Sequence, residues 1–272
     1  MKKLNTHECR EIQMSVLDEI DRLCKENHLK YSLAYGTLLG AIRHKGYIPW
    51  DDDIDIFLLR SDYDKLISLL KNASIKKADW LTLADDTCSD YFYPFAKVYD
   101  NRTTVKMERH KGEMGLWVDI FPMDNLPQKQ FFEKFFVYYC SFLRVISLSI
   151  TTDFESKQYD KWTLFYKRIF HTFAKVIGEK RFCRYVERVY QKYANKPSKN
   201  VATLFFDTKT DRILDKEKIA ETVSYAFENR HYDGVKNYDY YLTEFYSDYM
   251  QLPPVEKRYN HGLDCYLKDE KI

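Results

Sequence analysis

A chain of 272 residues with 45% hydrophobic and 31% charged side chains is long enough to bury a proper core and too apolar to stay unfolded. A formal net charge of +2 makes no bulk electrostatic case for a nucleic-acid partner, and no apolar run is long and clean enough to span a bilayer. The six cysteines, Cys9, Cys24, Cys88, Cys140, Cys183 and Cys265, include no C-x-x-C pair, which points to reduced thiols in a cytoplasmic compartment and away from a disulfide frame or a zinc site.

The opening MKKLNTHECREIQMS has two lysines with no apolar stretch behind them, so no secretory signal is expected. Asn5 and Glu8 stand like a capping box before a helix over 6–27, with Ile12, Val16, Ile20, Leu23 and Cys24 on its apolar face. LKYSLAYG alternates Leu29, Tyr31, Leu33 and Tyr35 on one strand face, and Gly36 ends it before a short helix, TLLGAIRHKG. A second strand is expected from Asp53 to Leu59, then a helix capped by Ser61 with Asp64 three residues on. DWLTLA, YFYPFAKVY and GLWVDIFP read as further strands. From about residue 128 the pattern turns to long helices, over 129–150, 158–194 and 237–250. The expected fold class is α/β (α+β). A catalytic core over 1–127 is followed by a mainly helical part over 128–272, whose C-terminal basic segment closes on the site.

The chemistry concentrates in GYIPWDDDIDIFLL, which puts four carboxylates into five positions at the mouth of an apolar strand. On a strand, residues two apart share a face, so Asp53 and Asp55 are expected to point together while Ile54 and Ile56 face the core. Aligned carboxylates raise each other's pKa, and a hard divalent ion with oxygen ligands, Mg2+ or Mn2+, removes that conflict. The alternative is a solvated acidic turn. Asp119, between Val118 and Ile120, offers a third carboxylate as metal ligand or general base, unless its strand is an edge and Asp119 lies in water. Gly36 allows close backbone approach, and the N–H groups of a helix starting at Thr37 suit a phosphate. Arg43, His44 and Lys45 add cationic reach toward phosphates, or end a solvated helix.

The stretch YGTLLGAIRHKGYIPWDDDIDI closely resembles the LicD family of phosphotransferases, which also looks like the catalytic region of fukutin-type proteins within the nucleotidyltransferase superfamily. The resemblance continues in FAKVYDNRTT (95–104), GLWVDIFPMD (115–124) and DYYLTEFYSDYMQLPPVEKRYNH (239–261). It implies a nucleotidyltransferase-type mixed sheet. Gly36 and Thr37 match the Gly-Ser/Thr element, Asp53 and Asp55 the paired metal ligands, Asp119 the third carboxylate, and Lys97 a phosphate-holding Lys-Val element. One departure is FYSDYM, where the family pattern has YGDYM, so Ser247 stands in place of glycine. Bacterial members move phosphocholine from CDP-choline onto cell-surface glycans of the teichoic-acid or lipopolysaccharide type, so the implied reaction releases CMP as a sugar hydroxyl attacks in line.

A quaternary ammonium is held by aromatic faces and acids. Tyr47, Trp50 and Trp117 are candidate cage rings, with Asp51 and Asp52 as counter-charge; a ring of this kind is more often core than cage. Lys257, Arg258 and His261, after a Pro-Pro turn, reach the nucleotide or a phosphate-rich acceptor, or form a solvated terminus. KQFFEKFFVYYCSFLRVISLSI (129–150) is the most apolar run: a buried helix, or over 131–150 an interfacial one making peripheral contact with a membrane that carries a lipid-linked acceptor. The expected location is cytoplasmic, extending to the inner face of the membrane. The alternatives are transfer of NMP from an NTP to a small hydroxylated acceptor, transfer of another CDP-linked alcohol phosphate, an Asp-x-Asp glycosyltransferase, and a non-catalytic nucleotide-binding relative. No basic helix or stacking motif points to a nucleic-acid partner.

Overall fold

The structure is a computed structural model and describes residues 1–106, 114–152, 154–155, 159–205, 212–258, 260 and 262–269. After β1 (Lys2–Lys3), Asn5 Oδ1 accepts the Glu8 N–H at 3.0 Å and Glu8 Oε2 accepts the Asn5 N–H at 2.9 Å. This capping box satisfies two otherwise orphaned donors and starts α1 (Thr6–Glu26), as expected. β2 (Tyr31–Leu33) is shorter than its alternation suggests, and α2 (Tyr35–Arg43) begins two residues before Thr37. Tyr35 adopts φ +42° there, with its ring edge-on to Phe121 at 5.5 Å, so packing overrides the strand pattern.

β3 (Asp55–Leu59) begins at Asp55, so Asp53 precedes the strand instead of sharing its face. α3 (Arg60–Lys71) follows without a break. Leu59 stands at its N-cap with no side-chain cap, and Ser61 lies inside the helix. The helix start is anchored by Arg60, which donates to both Asp124 oxygens at 2.7 and 2.9 Å. β4 (Leu81–Ala84), β5 (Ala96–Asp100), β6 (Thr103–Lys106) and β7 (Trp117–Asn125) complete the first half.

The second half opens with α4 (Gln130–Ile150). The 158–194 pattern divides into α5 (Lys161–Ile177) and α6 (Glu179–Tyr190), because Gly178 at φ +93° breaks it. Elements unforeseen in the sequence follow: β8 (Asn200–Ala202), β9 (Leu214–Asp215), the short α7 (Lys216–Ile219), and the hairpin of β10 (Thr222–Phe227) and β11 (Arg230–Val235). α8 (Tyr238–Tyr246) ends at Ser247, whose φ of +58° is the region that favours glycine; this explains a glycine in the family pattern there. β12 (Asp264–Leu267) closes a small sheet in the order β1-β12-β6.

The main sheet is mixed, in the order β10-β11-β2-β3-β7-β5-β4 with β8 and β9 attached beside β7. β11 runs parallel to β2, and β3 parallel to β7. Strands from both sides of residue 127 therefore share one sheet, since the 222–235 hairpin extends it through Gly234 opposite Leu33. α1 and α3 contribute Val16, Leu17, Ile20, Leu66 and Leu70 to the main core, with Ile56, Leu58, Val118 and Ile120 from the sheet. A second core under α4 and α6 holds Phe136, Cys140, Leu143, Val186 and Tyr190. Among the described residues no helix is long and apolar enough to cross a membrane.

Candidate active site

Strand register assembles the site. Asp55 lies opposite Asp119 across the parallel β3–β7 pair, and Lys97 lies opposite Asp119 across the antiparallel β5–β7 pair. Residues paired in register share a face, so two carboxylates and an ammonium form a row over three central strands. β7 is not an edge, and Asp119 is buried. Lys97 Nζ stands 2.5 Å from Asp119 Oδ1, while Trp117, two residues earlier on the same face, donates Nε1–H to Asp119 Oδ2 at 2.9 Å. The Trp117 ring lies 4.4 Å from the same ammonium, with Phe95 at 5.5 Å and Tyr93 at 5.7 Å.

α2 meets the head of β3 at this row. The Asp55 N–H donates to Thr37 Oγ1 at 2.9 Å, and the Ala34 N–H donates to the Asp55 carbonyl at 2.9 Å. A Cβ on Gly36 would stand 2.7 Å from Asp51 Oδ2, so glycine is what lets the first turn of α2 approach that carboxylate. α1 holds the acidic loop by its main chain: Arg10 Nη2 donates to the Asp51 carbonyl and Gln13 Nε2 to the Asp52 carbonyl, each at 2.9 Å.

Burial, then the neighbouring Asp53, Asp119 and Asp51 carboxylates, push the Asp55 carboxyl well above its ordinary range, with Lys97 opposing. Four acids therefore act on one another at the head of β3. Sequence reasoning missed two groups here. Tyr246, at the end of α8, has its hydroxyl raised by desolvation and then by Asp55, Asp51 and Asp53; Arg212 opposes that shift and places its guanidinium 4.6 Å from the Phe245 ring. Tyr246 lies within the FYSDYM block that carried the resemblance, but nothing local to Arg212 marks it.

The remaining candidates fall into separate places. Arg43 donates to the carbonyls of Tyr249 (2.7 Å) and Gln251 (3.4 Å) and to His44 Nε2 (2.9 Å), fastening the end of α2 to the segment beyond α8. Burial, and then Arg43, lower the His44 pKa. Arg258 lies 4.7 Å over the Trp50 ring, whose edge faces His44 at 6.3 Å, so the C-terminal segment does meet the loop before β3. Lys257 is exposed, and His261 lies outside the described residues. Tyr47 is buried under the Arg10 guanidinium at 4.5 Å and donates to Gln13 Oε1 at 3.2 Å. The three expected cage rings are thus not brought together: Tyr47 faces Arg10, Trp50 faces Arg258 and Trp117 faces Lys97, each ring already taking a cation of the protein.

As the side chains stand, no group of three His, Cys, Asp or Glu among the described residues could hold a metal ion. The donor chemistry nevertheless fits a hard divalent cation: every candidate ligand is a carboxylate oxygen, and burial, then the repulsion of neighbouring acids, raises Asp55. Were such an ion bound, Asp53 and Asp55 would hold it, beside an Asp119 engaged by Lys97 and Trp117.

The sequence is similar to those of known proteins. Residues 28–144 match the family model described as "LicD/FKTN/FKRP, nucleotidyltransferase domain". The chain is 28% identical over 270 residues, 98% of its own length and 100% of the other's, to the lipopolysaccharide cholinephosphotransferase LicD of Haemophilus influenzae. It is 27% identical over 113 residues to an uncharacterized protein of Rickettsia typhi, spanning 40% of this chain and 36% of that one. An uncharacterized protein of Rickettsia prowazekii is 29% identical over 125 residues, 43% of this chain and 41% of that protein. The matched region spans α2, the acidic loop, β3, β5 and β7, which together build the row of Asp55, Asp119 and Lys97, so the similarity to the LicD family falls on the part of the chain that carries the candidate site.

Proposed function

We propose that this protein transfers phosphocholine from CDP-choline to a hydroxyl of a cell-surface glycan of the lipopolysaccharide or teichoic-acid type, releasing CMP, with Mg2+ or Mn2+ as cofactor. The observation that carries the reading is the register-built row of Asp55, Asp119 and Lys97 beside Gly36 and Thr37. The full-length similarity to a lipopolysaccharide cholinephosphotransferase supports the choice of transferred group and acceptor class.

A bound divalent cation would neutralise the donor phosphates, held by Asp53 and Asp55. Lys97 moves from Asp119 to a phosphoryl oxygen as the donor enters, and the N-terminal turn of α2 at Gly36 offers free N–H groups to the same phosphates. Asp119, released from Lys97 and kept in orientation by Trp117, accepts the proton of the attacking hydroxyl. The new P–O bond forms from that hydroxyl as the bond to the CMP oxygen breaks. In this reading residues 1–127 carry the catalytic core, and 128–272 supply the acceptor side and the Arg258 segment that closes on Trp50.

Thermal unfolding with Mg2+ and a panel of CDP-choline, CDP-ribitol, CTP, ATP and UDP-sugars tests the reading. At about 100 times its Kd the true donor stabilises by about 2.7 kcal/mol. The expected result is stabilisation by CDP-choline that needs the metal and is lost in Asp53→Asn and Asp55→Asn. Stabilisation by CTP or ATP, with none from CDP-choline, would replace phosphocholine transfer with nucleotidyl transfer; stabilisation by CDP-ribitol alone would change the alcohol.

A further inference from the structure

α4 and α5 pack against each other and turn rings outward. On α4 the solvent-facing positions are Phe131, Phe135, Tyr138, Phe142 and Val145, at spacings of four, three, four and three, with Phe132 alongside. On α5 Trp162, Tyr166, Ile169, Phe173 and Val176 repeat the same spacing, with Phe165 alongside. Each set is a single stripe along its helix. Phe142 meets Phe170 edge-on at 6.0 Å, which joins the two helices at the rings. The exposure is large: 79% for Phe131, 72% for Trp162 and 83% for Val176. The opposite face of α4 fills the second core with Phe136, Cys140 and Leu143, so both faces of this helix are apolar.

Charge sorts beside the stripes. Lys161, Arg168 and Lys175 recur every seven residues and form one exposed row about 100° around α5 from its apolar stripe. Lys134 flanks the stripe of α4. α5 contains no acid, and the one acid of α4, Glu133, is buried and accepts from Asn200 Nδ2. Among the described residues Lys134, Lys161, Arg168 and Lys175 enter no ion pair.

We infer that the outer face of α4 and α5 is an interfacial docking surface for an anionic phospholipid bilayer, into which the rings sink to headgroup depth while the lysine and arginine row meets lipid phosphates. Three observations favour this occupant over a second copy of the chain. A two-fold contact through this face would set like charges against like, with no acid to answer them. The stripes are built mainly from rings, with no leucine, whereas helix–helix seams favour leucine and isoleucine. Phe, Trp and Tyr tips beside basic side chains are the composition that settles at a bilayer interface. Since no described helix can span, the helices lie in the interface plane.

Vesicle flotation of the full chain tests this independently of the transfer reaction, because it reads partition and needs neither donor nor metal. The protein is expected to float with phosphatidylglycerol–phosphatidylethanolamine vesicles, weakly with phosphatidylcholine vesicles, and less as salt rises. A triple variant, Lys161→Gln, Arg168→Gln and Lys175→Gln, should lose roughly a hundredfold in partition to the anionic vesicles. Phe131→Ser with Phe135→Ser and Trp162→Ser should abolish flotation while leaving the circular dichroism spectrum and unfolding midpoint unchanged, since all three side chains face mainly water. Failure of the wild-type chain to float with anionic vesicles, or flotation of the ring variant like wild type, overturns the inference. A dimer in sedimentation that the ring variant dissolves, without vesicle binding, overturns it in favour of a second copy.

Discussion

The central strands and the outer face of α4 and α5 break the same rule in opposite directions. In the sheet, Asp55, Lys97 and Asp119 carry charge into a protein interior; on the helical hairpin, twelve apolar side chains, nine of them rings, are turned toward water. Burying charge costs free energy unless it is paired, and Asp119 is paired twice over, by Lys97 and Trp117, whereas Asp55 has other acids for neighbours. Exposed rings cost little in the monomer, but a contiguous patch of them marks a surface for something else. In the proposed readings both departures set stability against use, one by keeping charge where a donor would be gripped and the other by keeping rings where a bilayer would be met.

The comparison is broken most severely at Asp55. Under the proposed function, Asp55→Asn should reduce transfer by about a thousandfold or more, because it removes an oxygen that would hold the metal. In metal-free protein the same change should raise stability, since it deletes a carboxylate that burial and its neighbours disfavour. The folded-state pKa lies above the ordinary value of 3.8, so the folded form binds the proton more tightly than the unfolded chain. Below 3.8 the two proteins should be alike in this respect. As pH rises, wild type loses stability relative to the variant until pH passes the folded-state pKa, and the difference then stays constant. Urea denaturation in chelator from about pH 4 to about pH 8 reads it. A variant less stable than wild type throughout would mean that Asp55 is compensated in the metal-free protein.

The seam between the two regions is the next place to cut. Arg60 at the start of α3 is buried and holds Asp124 of β7 by two hydrogen bonds and Glu187 of α6 at 2.9 Å, so it ties the sheet to the helical half. Arg60→Leu leaves the buried Asp124 without its cation and should cost about 3–5 kcal/mol in denaturant unfolding. Arg60→Leu with Asp124→Leu should recover much of that loss, because the stranded charge is then gone. Glu187 adds a pH signature: burial, and then Asp124, push its carboxyl up to about 7 against the pull of Arg60. Its contribution is greatest in acid and is lost as pH climbs through 7, so Glu187→Gln should flatten that part of the stability profile. A pH profile unchanged by Glu187→Gln would remove Glu187 from the seam.

The two regions also differ in how far the sequence discloses them. The period of two that marks a strand separated Trp117, Asp119 and Phe121 from Val118 and Ile120, and the capping box at Asn5 and Glu8 needed no tertiary knowledge. Register is non-local, so nothing in the acidic stretch or in FAKVYD announced that Asp55, Asp119 and Lys97 line up across three strands. The shared strand face expected of Asp53 and Asp55 failed because the strand starts two residues later than that geometry needs. Tyr246 and Arg212 reach the site from more than 150 residues away in the chain, and the 222–235 hairpin was hidden by reading the second half for helices. Gly178 was a visible signal: a glycine within a helical pattern marks a C-cap, and the break between α5 and α6 falls there. The exposed stripes were the least legible, because an apolar run shows how many sides a helix offers and not which of them the fold will cover.

The smallest expected effect is the sharpest test of that covering, and it lies in two neighbouring residues. Phe135 is 67% exposed and Phe136 is 6% exposed, one in the outer stripe of α4 and the other in the core beneath it. Phe136→Ala opens a cavity among Cys140, Val186 and Tyr190 and should cost about 3–5 kcal/mol. Phe135→Ala removes a ring that touches mainly water and should change the unfolding free energy by less than about 0.5 kcal/mol. Denaturant unfolding at several protein concentrations measures both. If the Phe135 change is near zero at every concentration, the outer face is bare in solution and its rings are kept for a partner absent from the tube. If it approaches the cost at Phe136 and grows with protein concentration, a second copy already covers the stripe, and the contrast between a sheet that buries charge and a hairpin that exposes rings would hold for the isolated chain alone.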